Sequence, residues 1–335
     1  MLRIVFMGSD AIARPALDWL AGEGSRVGQV VAVFTQPDRA AGRGQKIAAN
    51  DIKLWAQARQ LPVLQPEKFG AAERQQLAAF QPDLTLVMAY GHILKQDVID
   101  TPRRGTLNLH TSILPKYRGA SPIQTATACG DRETGVTLMK MVLALDAGPV
   151  ADVERVPIAP LDTAAAVEAK LAAACVPLLA RCLPGIAAGT QTFRAQDETQ
   201  VTFCRKLDKA DGVLDFSQSA AALAARINGL MPWPGCTAEI NGQVVKLGLA
   251  DASGNVIRYQ GSDPVPGQVV GADADGLLVG TGQGTLRLRQ LQRPGGKMLP
   301  AAEFLRGWPV APGTRLPSHP MPPLVAAAPF PRPKG

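Results

Sequence analysis

The chain has 335 residues, and at roughly one domain per 100–200 residues this length predicts two domains that bury their cores without disulfides or metals. Its 46% hydrophobic and 19% charged residues match ordinary globular proteins and exclude wholesale disorder, collagen-like repeats and coiled coils. The net charge of +7 arises after residue 275, where eight lysines and arginines accompany one acidic residue, so this end is either a basic surface for a polyanion such as RNA or an ordinary solvated face.

Strand-like and helical patterns alternate through the first half of the chain. Apolar runs predict strands at Leu2–Met7, Val27–Phe34 and Leu84–Tyr90, and helical periodicity predicts helices at Ala11–Ala21, Asp51–Gln60 and Ala71–Phe80. This order predicts a Rossmann-like α/β domain with a mostly parallel sheet and helices on both faces. No apolar run approaches the roughly eighteen residues that span a bilayer, and the first strand follows Met1 directly, so we expect a cytoplasmic protein without a signal peptide or a membrane partner.

Three further strands are predicted at Thr106–His110, Gly135–Val142 and Val150–Val156, with helices at Ser121–Cys129 and Thr163–Ala188. The last helix is long and rich in alanine, and it closes a predicted catalytic domain over residues 1–189. Residues 190–206 are polar and lack periodicity, which is typical of a linker.

The sequence pattern changes after residue 206. A helix is predicted at Ser217–Leu230, and short β segments follow at Thr237–Ile240, Val244–Leu249, Val256–Gln260, Gly267–Val270, Leu277–Val279 and Thr285–Leu291. Short strands separated by Gly, Asn and Asp turns predict a small OB-like antiparallel β-barrel domain over residues 207–313. Nine of the last 27 residues are proline, so residues 314–335 are predicted to form a disordered tail.

Potential metal ligands and thiol pairs are scarce. The five cysteines form no C-x-x-C pair and are odd in number, which favours reduced packing residues over disulfides or a thiolate zinc site. The three histidines form no H-E-x-x-H motif, so we expect chemistry without a metal.

The first strand ends in the turn Gly8-Ser9-Asp10, which superficially suggests a nucleotide-binding loop. The turn lacks the second and third glycines of the G-x-G-x-x-G motif. We therefore reject a dinucleotide-dependent dehydrogenase and interpret Gly8 as the glycine of a strand-to-helix turn.

Two polar side chains share one face at the end of a predicted strand. Asn108 and His110 are two residues apart, so both project to the same side, at the strand end where open α/β sheets bind ligands. Asp146 follows another predicted strand, and we expect a parallel neighbour to bring its carboxylate to the same edge.

These three groups suit transfer of an acyl group to an amine. Asn108 and protonated His110 would donate to the developing oxyanion, a contribution of about 3 kcal/mol per donor, and Asp146 would keep His110 charged and relay protons. No residue here resembles a covalent nucleophile, which favours direct attack by the amine. Spacing alone also allows a purely structural role, in which Asn108 and His110 make strand-end hydrogen bonds and Asp146 caps a turn.

The stretch from Asn108 to Gln124, together with Leu145-Asp146-Ala147-Gly148, resembles the signature of the folate-dependent formyltransferases, and the similarity extends to about residue 313. The resemblance implies that Asn108, His110 and Asp146 form the catalytic centre.

The resemblance also implies a folate site. Its residues would be Ser112, Ile113, Leu114 and Pro115, where Ile113 is a conservative replacement, with Tyr90 and Gly91 walling the pterin pocket. The chain departs from the family pattern at Gly8-Ser9-Asp10, which lacks a proline, so we expect this turn to differ from that of the family.

A basic loop, Thr35–Lys46, resembles the segment by which the tRNA-dependent members of this family reach the acceptor stem. Its Arg39, Arg43 and Lys46 alternate with glycines, so the loop can order as its cations contact phosphates or base edges. The resemblance extends through the C-terminal domain and implies further tRNA contacts by Lys206, Arg287, Arg289, Arg293 and Lys297. An ordinary mobile loop and solvated surface charges would give the same residue pattern.

The resemblance therefore implies a monomeric enzyme that transfers the formyl group of 10-formyltetrahydrofolate, as co-substrate, to the α-amino group of methionine on charged initiator tRNA. An amino-sugar nucleotide N-formyltransferase is the enzymatic alternative, since it would keep the three catalytic residues and change only the amine. A folate-dependent formyl hydrolase would use water as the acceptor. A non-catalytic tRNA-binding module would explain the basic surface but leave the three catalytic residues without a role.

Overall fold

The computed structural model describes residues 1–41, 46–254 and 256–331, with only the backbone at positions 40, 41 and 46. Its strands are β1 (Leu2–Gly8), β2 (Gly28–Phe34), β3 (Arg39–Ala41), β4 (Lys46–Ala48), β5 (Val63–Leu64), β6 (Leu84–Met88), β7 (Thr106–His110), β8 (Arg118–Gly119), β9 (Glu133–Lys140), β10 (Val150–Pro157), β11 (Phe203–Cys204), β12 (Cys236–Ile240), β13 (Gln243–Ser253), β14 (Val269–Ala272), β15 (Leu277–Gly280), β16 (Thr285–Gln292), β17 (Leu299–Pro300) and β18 (Val325–Ala326). Its α-helices are α1 (Arg14–Ala21), α2 (Asp51–Ala58), α3 (Ala71–Ala79), α4 (Gln96–Ile99), α5 (Pro122–Ala128), α6 (Ala164–Ala188), α7 (Ala220–Gly229) and α8 (Ala301–Gly307). The chain divides into two compact units, the first comprising residues 1–118, 135–156 and 168–201, and the second comprising residues 119–134, 157–167 and 202–335.

A seven-stranded sheet in the order β10-β9-β7-β6-β1-β2-β5 forms the centre of the first unit. Five neighbouring strands of this sheet run parallel, namely β7, β6, β1, β2 and β5. This confirms the mostly parallel sheet predicted from the strand–helix alternation. β9, the strand before Asp146, pairs antiparallel with β7. The expectation that this strand runs parallel to β7 is therefore wrong. A parallel β9 would need a crossover helix packed on the sheet, whereas α5, the helix between β7 and β9, belongs to the second unit.

The long helix α6 contributes a buried apolar face to the first unit. Leu171, Cys175, Leu178 and Leu183 are fully buried along it. By length and composition alone α6 is apolar enough to cross a membrane, yet half of its most apolar stretch is buried inside the protein. The expectation that no apolar run is long enough to span a bilayer is therefore wrong, although a core helix rich in alanine and leucine gives the same pattern.

The second unit contains an antiparallel sheet in the order β12-β13-β16-β15-β14, with β17 beside β16. Helix α7 packs on β13 and β16, and its Leu223 and Ile227 share a core with Leu247 and Leu286. The structure confirms a separate antiparallel domain after the α/β domain. No strand pairing between described residues joins β12 to β14, so closure into an OB-like barrel stays a prediction.

The proline-rich segment after residue 313 is packed against the second unit. Leu316 and Leu324 are buried in its core, and β18 pairs with β11. The guanidinium of Arg226 donates to the carbonyl of Pro322 at 3.1 Å. The predicted disorder of residues 314–335 is therefore wrong for the described part of the segment, because prolines still offer carbonyl acceptors and the interspersed leucines anchor the chain.

The predicted linker, residues 190–206, is divided between the two units. Residues 190–201 belong to the first unit, where Val150 and Arg194 exchange two backbone hydrogen bonds of 2.8 Å. This pairing adds the segment beside β10. The second unit also takes residues 119–134 and 157–167, which the sequence assigned to a continuous catalytic domain.

Candidate active site

Strand β7 positions two of the predicted catalytic side chains. Its apolar residues Leu107 and Leu109 are buried, which fixes Asn108 and His110 together on the alternate positions. Asn108 is partly buried, and its side-chain amide has no hydrogen-bond partner among the residues that the structure describes. A neutral donor of this kind is available to a substrate oxygen.

The imidazole of His110 is hydrogen-bonded at one nitrogen and faces a carboxylate with the other. Its Nε2 lies 2.9 Å from the carbonyl oxygen of Tyr117, and a carbonyl can only accept, so Nε2 carries a proton. Its Nδ1 lies 3.7 Å from Oδ2 of Asp146. The ring is only 6% exposed, so the electrostatic field of the nearby carboxylate acts on it with little screening by solvent.

Asp146 lies in the loop between β9 and β10. Its φ of +48° places it in the left-handed region, which a non-glycine residue adopts only where the surroundings hold it. Gly148 fixes the return of this loop, because a Cβ there would lie 1.8 Å from the carbonyl oxygen of Lys140. The structure thus brings Asp146 beside His110, while Asn108 and His110 lie two residues apart on the same strand.

The turn from Ser112 to Pro115 is stabilised by hydrogen bonds within the protein. The hydroxyl of Ser112 is buried and donates to the carbonyl of Lys116 at 2.6 Å. Thr137 donates to the carbonyl of Ser112 at 2.6 Å and accepts from the backbone N–H of Leu114 at 3.1 Å. Ser112 therefore shapes this turn, and Ile113 and Pro115 are its partly exposed members.

Tyr90 and Gly91 follow β6 at the same edge of the sheet. The side chain of Tyr90 is 3% exposed within the core, and burial raises the pKa of its hydroxyl. Its carbonyl accepts a hydrogen bond from the amide of Gln36 at 3.1 Å. If this segment contacts folate, as the sequence predicted, the contact is made by its backbone, because the phenol ring is buried.

The first turn is closed without the proline of the family pattern. The carboxylate of Asp10 accepts a hydrogen bond from the backbone N–H of Ile12 at 3.0 Å. The hydroxyl of Ser9 accepts from the backbone N–H of Gln36 at 2.9 Å. Two polar side chains therefore fix the turn and tie it to the start of the predicted basic loop.

Within the predicted basic loop, β3 and β4 pair antiparallel. Arg39 is exposed at the start of β3 and donates to Gln36 at 2.9 Å. Lys53 and Gln65 both donate to Asp38, which lowers the pKa of that carboxyl and anchors the segment before β3 to the rest of the first unit. Arg43 and the side chain of Lys46 lie outside the described residues.

The predicted tRNA-binding cations of the second unit fall into two groups. Arg287 and Arg289 are paired with Asp251, Asp273 and Asp275 across the sheet. Their positive charge is therefore largely neutralised.

The second group is exposed to solvent. Lys206, Arg293 and Lys297 are exposed, and no ion pair involves them among the described residues. The structure thus separates three available cations from two that stabilise the sheet.

The described residues contain no group of three or more His, Cys, Asp or Glu side chains placed to hold a metal. A cavity of about 500 Å³ opens at the start of β7, beside Arg104, Lys140 and Phe193. It includes none of Asn108, His110 and Asp146, so it is separate from the candidate active site.

Two residues near the site were missed by the sequence analysis. Gln196 donates to the carbonyls of Asp146 and Gly148 at 2.7 and 2.8 Å, and it accepts from the buried Arg118. Gln196 lies in the predicted linker, where polar residues without periodicity carry no signal of a long-range contact. Arg118 lies within the recognised signature, but its charge gave no indication of its partner.

Comparison with known proteins identifies both parts of the chain. Residues 2–183 match the family model described as formyl transferase, and residues 206–309 match the model described as formyl transferase, C-terminal domain.

Several relatives match over almost their entire length. A methionyl-tRNA formyltransferase of Ralstonia nicotianae is 41% identical over 329 residues, covering 95% of this chain and 98% of the relative. That of Stenotrophomonas maltophilia is 44% identical over 306 residues, covering 91% of this chain and 97% of the relative.

Solved structures share the fold at low identity. An N-formyltransferase from Helicobacter canadensis, in complex with folinic acid and dTDP-3-aminofucose, has a TM-score of 0.63 and 16% identity, covering 86% of this chain and 99% of its own. HypX from Aquifex aeolicus, in complex with tetrahydrofolic acid, has a TM-score of 0.58 and 17% identity, covering 91% of this chain and 47% of its own. At this identity the likeness describes the fold alone.

Proposed function

The chain belongs to the formyl transferase family, and we propose that it transfers the formyl group of 10-formyltetrahydrofolate to the α-amino group of methionine on initiator tRNA. The choice of methionyl-tRNA as the acceptor is supported by one observation: relatives named methionyl-tRNA formyltransferase match this chain over almost their entire length. The products are formylmethionyl-tRNA, which serves translation initiation, and tetrahydrofolate.

The reaction requires one bond to form and one to break. The amine nitrogen attacks the formyl carbon, the bond from that carbon to N10 of the folate breaks, and a proton moves from the amine to N10. Negative charge develops on the formyl oxygen during attack. Asn108 supports this step because its amide has no competing partner among the described residues, and a fixed donor at such an oxygen contributes about 3 kcal/mol.

His110 and Asp146 supply the second donor and the route for the proton. The Tyr117 carbonyl fixes Nε2, so the Nδ1 edge of His110 faces Asp146. This edge of the ring would donate to the oxyanion, with the carboxylate of Asp146 beside it. The 3.7 Å between Nδ1 and Oδ2 exceeds a direct hydrogen bond and suits proton transfer that includes a water or the substrate amine.

The folate donor would bind along the turn from Ser112 to Pro115 and beside Tyr90 and Gly91. Support comes from the placement of both segments at the carboxyl ends of β6 and β7, where open α/β sheets bind ligands. We assign the contacts to exposed atoms of Ile113 and Pro115 and to the Tyr90–Gly91 backbone, because the Ser112 hydroxyl already donates to Lys116 and the Tyr90 ring is buried.

The acceptor tRNA would contact Arg39, Arg43 and Lys46 of the predicted basic loop and the exposed cations Lys206, Arg293 and Lys297. Guanidinium and ammonium groups bind phosphates. We leave out Arg287 and Arg289, because both already have carboxylate partners. The proposal includes a monomeric enzyme that acts in the cytoplasm without a metal.

A single-turnover assay tests this function. Purified protein and 10-formyltetrahydrofolate are mixed with charged initiator methionyl-tRNA, with charged elongator methionyl-tRNA as control and a dTDP-linked amino sugar as the competing acceptor. We expect formylation of the initiator tRNA alone. Formylation of the amino sugar with no product on either tRNA would contradict the proposed acceptor and favour an amino-sugar N-formyltransferase.

A further inference from the structure

The side chain of Gln196 joins two segments of the candidate active site. Its Nε2 donates to the carbonyl of Asp146 at 2.7 Å and to the carbonyl of Gly148 at 2.8 Å. Its Oε1 accepts from Nε and Nη2 of Arg118 at 3.1 and 2.8 Å. The oxygen and the NH2 group of this amide are therefore both hydrogen-bonded. The NH2 group holds the backbone of Asp146, whose side chain is the proposed catalytic carboxylate.

The chemistry of the partners fixes the orientation of this amide. A guanidinium only donates and a carbonyl only accepts, so the oxygen of Gln196 must face Arg118 and its NH2 group must face the loop. Arg118 is itself held, since its buried guanidinium pairs with Glu198 at 2.8 Å. The hydrogen bond from Arg118 lowers the pKa of Glu198, which keeps that carboxylate charged.

The residues just before Asp146 are open to solvent. Leu143 and Leu145, just before Asp146, are 67% and 59% exposed, so apolar packing does little to hold them. Asp146 has the left-handed backbone conformation noted above, which is unfavourable for a residue with a side chain unless neighbouring contacts maintain it. Two hydrogen bonds from a single amide, to residues 146 and 148, maintain this conformation.

Arg118 also lies next to the other anchor of the site. The preceding residue, Tyr117, accepts the hydrogen bond from Nε2 of His110. One short segment therefore fixes the imidazole through Tyr117 and the opposing carboxylate through Arg118 and Gln196. The distance between His110 and Asp146 depends on both anchors, the Tyr117 carbonyl and the Gln196 amide.

We propose that Gln196, oriented by Arg118, is a positioning residue that holds Asp146 at its working distance from His110 during formyl transfer. This inference rests on the proposed function. Gln196 acts through Asp146 and does not itself contact the reacting atoms. A misplacement of about 1 Å in such a site costs up to roughly 100-fold in rate.

The test uses Gln196→Glu, which keeps the size of the side chain and replaces both donors to the loop with a carboxylate oxygen. We expect kcat to fall by roughly 10- to 100-fold, with the KM values for tRNA and for 10-formyltetrahydrofolate within about twofold of wild type, because Gln196 sets geometry and not binding. The matched control is Gln191→Glu, since Gln191 also donates to backbone carbonyls, of Ala151 and Thr192, in the same segment. This control should retain wild-type kcat.

A double-mutant cycle with Asp146→Asn separates positioning from general destabilisation. If Gln196 acts through Asp146, adding Gln196→Glu to Asp146→Asn should cost less than about threefold further, measured in single-turnover reactions. An equal loss in both backgrounds, or wild-type kcat in Gln196→Glu alone, would overturn the inference. The wild-type reaction in the same assay tests the proposed function by itself, so the two failures are distinguishable.

Discussion

Nδ1 of His110 lies 3.7 Å from Oδ2 of Asp146, while Nε2 of the same ring is bound to a backbone carbonyl. The ring can therefore exchange a proton only on the side that faces the carboxylate. This relationship makes the charge of Asp146, rather than its size, the property on which turnover should depend.

Asp146→Asn keeps the shape of the side chain and removes its charge. We expect kcat to fall by roughly 10²–10⁴-fold, the range typical of lost acid–base assistance, with little change in binding of 10-formyltetrahydrofolate. Steady-state kinetics and equilibrium titration with the donor measure the two effects. Unchanged steady-state rates would remove Asp146 from the mechanism.

The predicted basic loop should contribute to tRNA binding and not to chemistry. We expect Arg39→Ala and Arg43→Ala each to raise the KM for initiator tRNA several-fold while kcat at saturation stays near wild type, because a lost phosphate contact weakens binding alone. Arg26→Ala, which removes an exposed arginine elsewhere in the first unit, is the matched control. A wild-type KM in both Arg39→Ala and Arg43→Ala would contradict the role of the loop and leave the chemistry intact.

The arginines and lysines of the second unit should differ in their effects. Arg293→Ala and Lys297→Ala should weaken tRNA affinity and reduce the slope of log affinity against log salt by about one unit each. Arg287→Ala should instead lower thermal stability, since it leaves Asp273 and Asp251 without this partner. Binding titrations at several salt concentrations and melting curves distinguish the two outcomes. A salt slope lowered by Arg287→Ala, with unchanged melting, would reverse this assignment.

The thiols should differ sharply in reactivity. Cys129 is exposed and the other four cysteines are buried, and burial raises the pKa of Cys175 and Cys236 to about 12 and that of Cys182 to about 11. Because the thiolate is the reactive form, we expect a disulfide reagent at pH 8 to modify one thiol rapidly in the native protein and five after unfolding. Rapid modification of two or more native thiols would show that the core is more open than the structure indicates.

The sequence predicted the catalytic strand because its pattern is local. Thr106–His110 alternates apolar and polar residues, and the structure has the strand at the same bounds. The direction of β9 could not be read in this way, since it depends on where α5 packs, and no periodicity in the strand records that.

Long-range polar contacts could not be predicted from the sequence for a similar reason. Gln196 is one polar residue in an aperiodic segment, and only the folded chain shows that its amide reaches the loop of Asp146. The prolines after residue 313 suggested disorder, whereas the contacts of Leu316 and Leu324 with a distant core decide the outcome. Composition describes what a segment is able to bury, but not where its partners lie.

His110→Ala tests the central claim most directly. The variant removes the imidazole that faces Asp146, and the account predicts that single-turnover formylation of initiator methionyl-tRNA falls by at least about 100-fold. The Kd for tRNA should remain within about twofold of wild type. The exposed His319, replaced by alanine, is the matched control and should change neither quantity. Wild-type formylation by His110→Ala would contradict the account, because no other described residue places an imidazole beside Asp146.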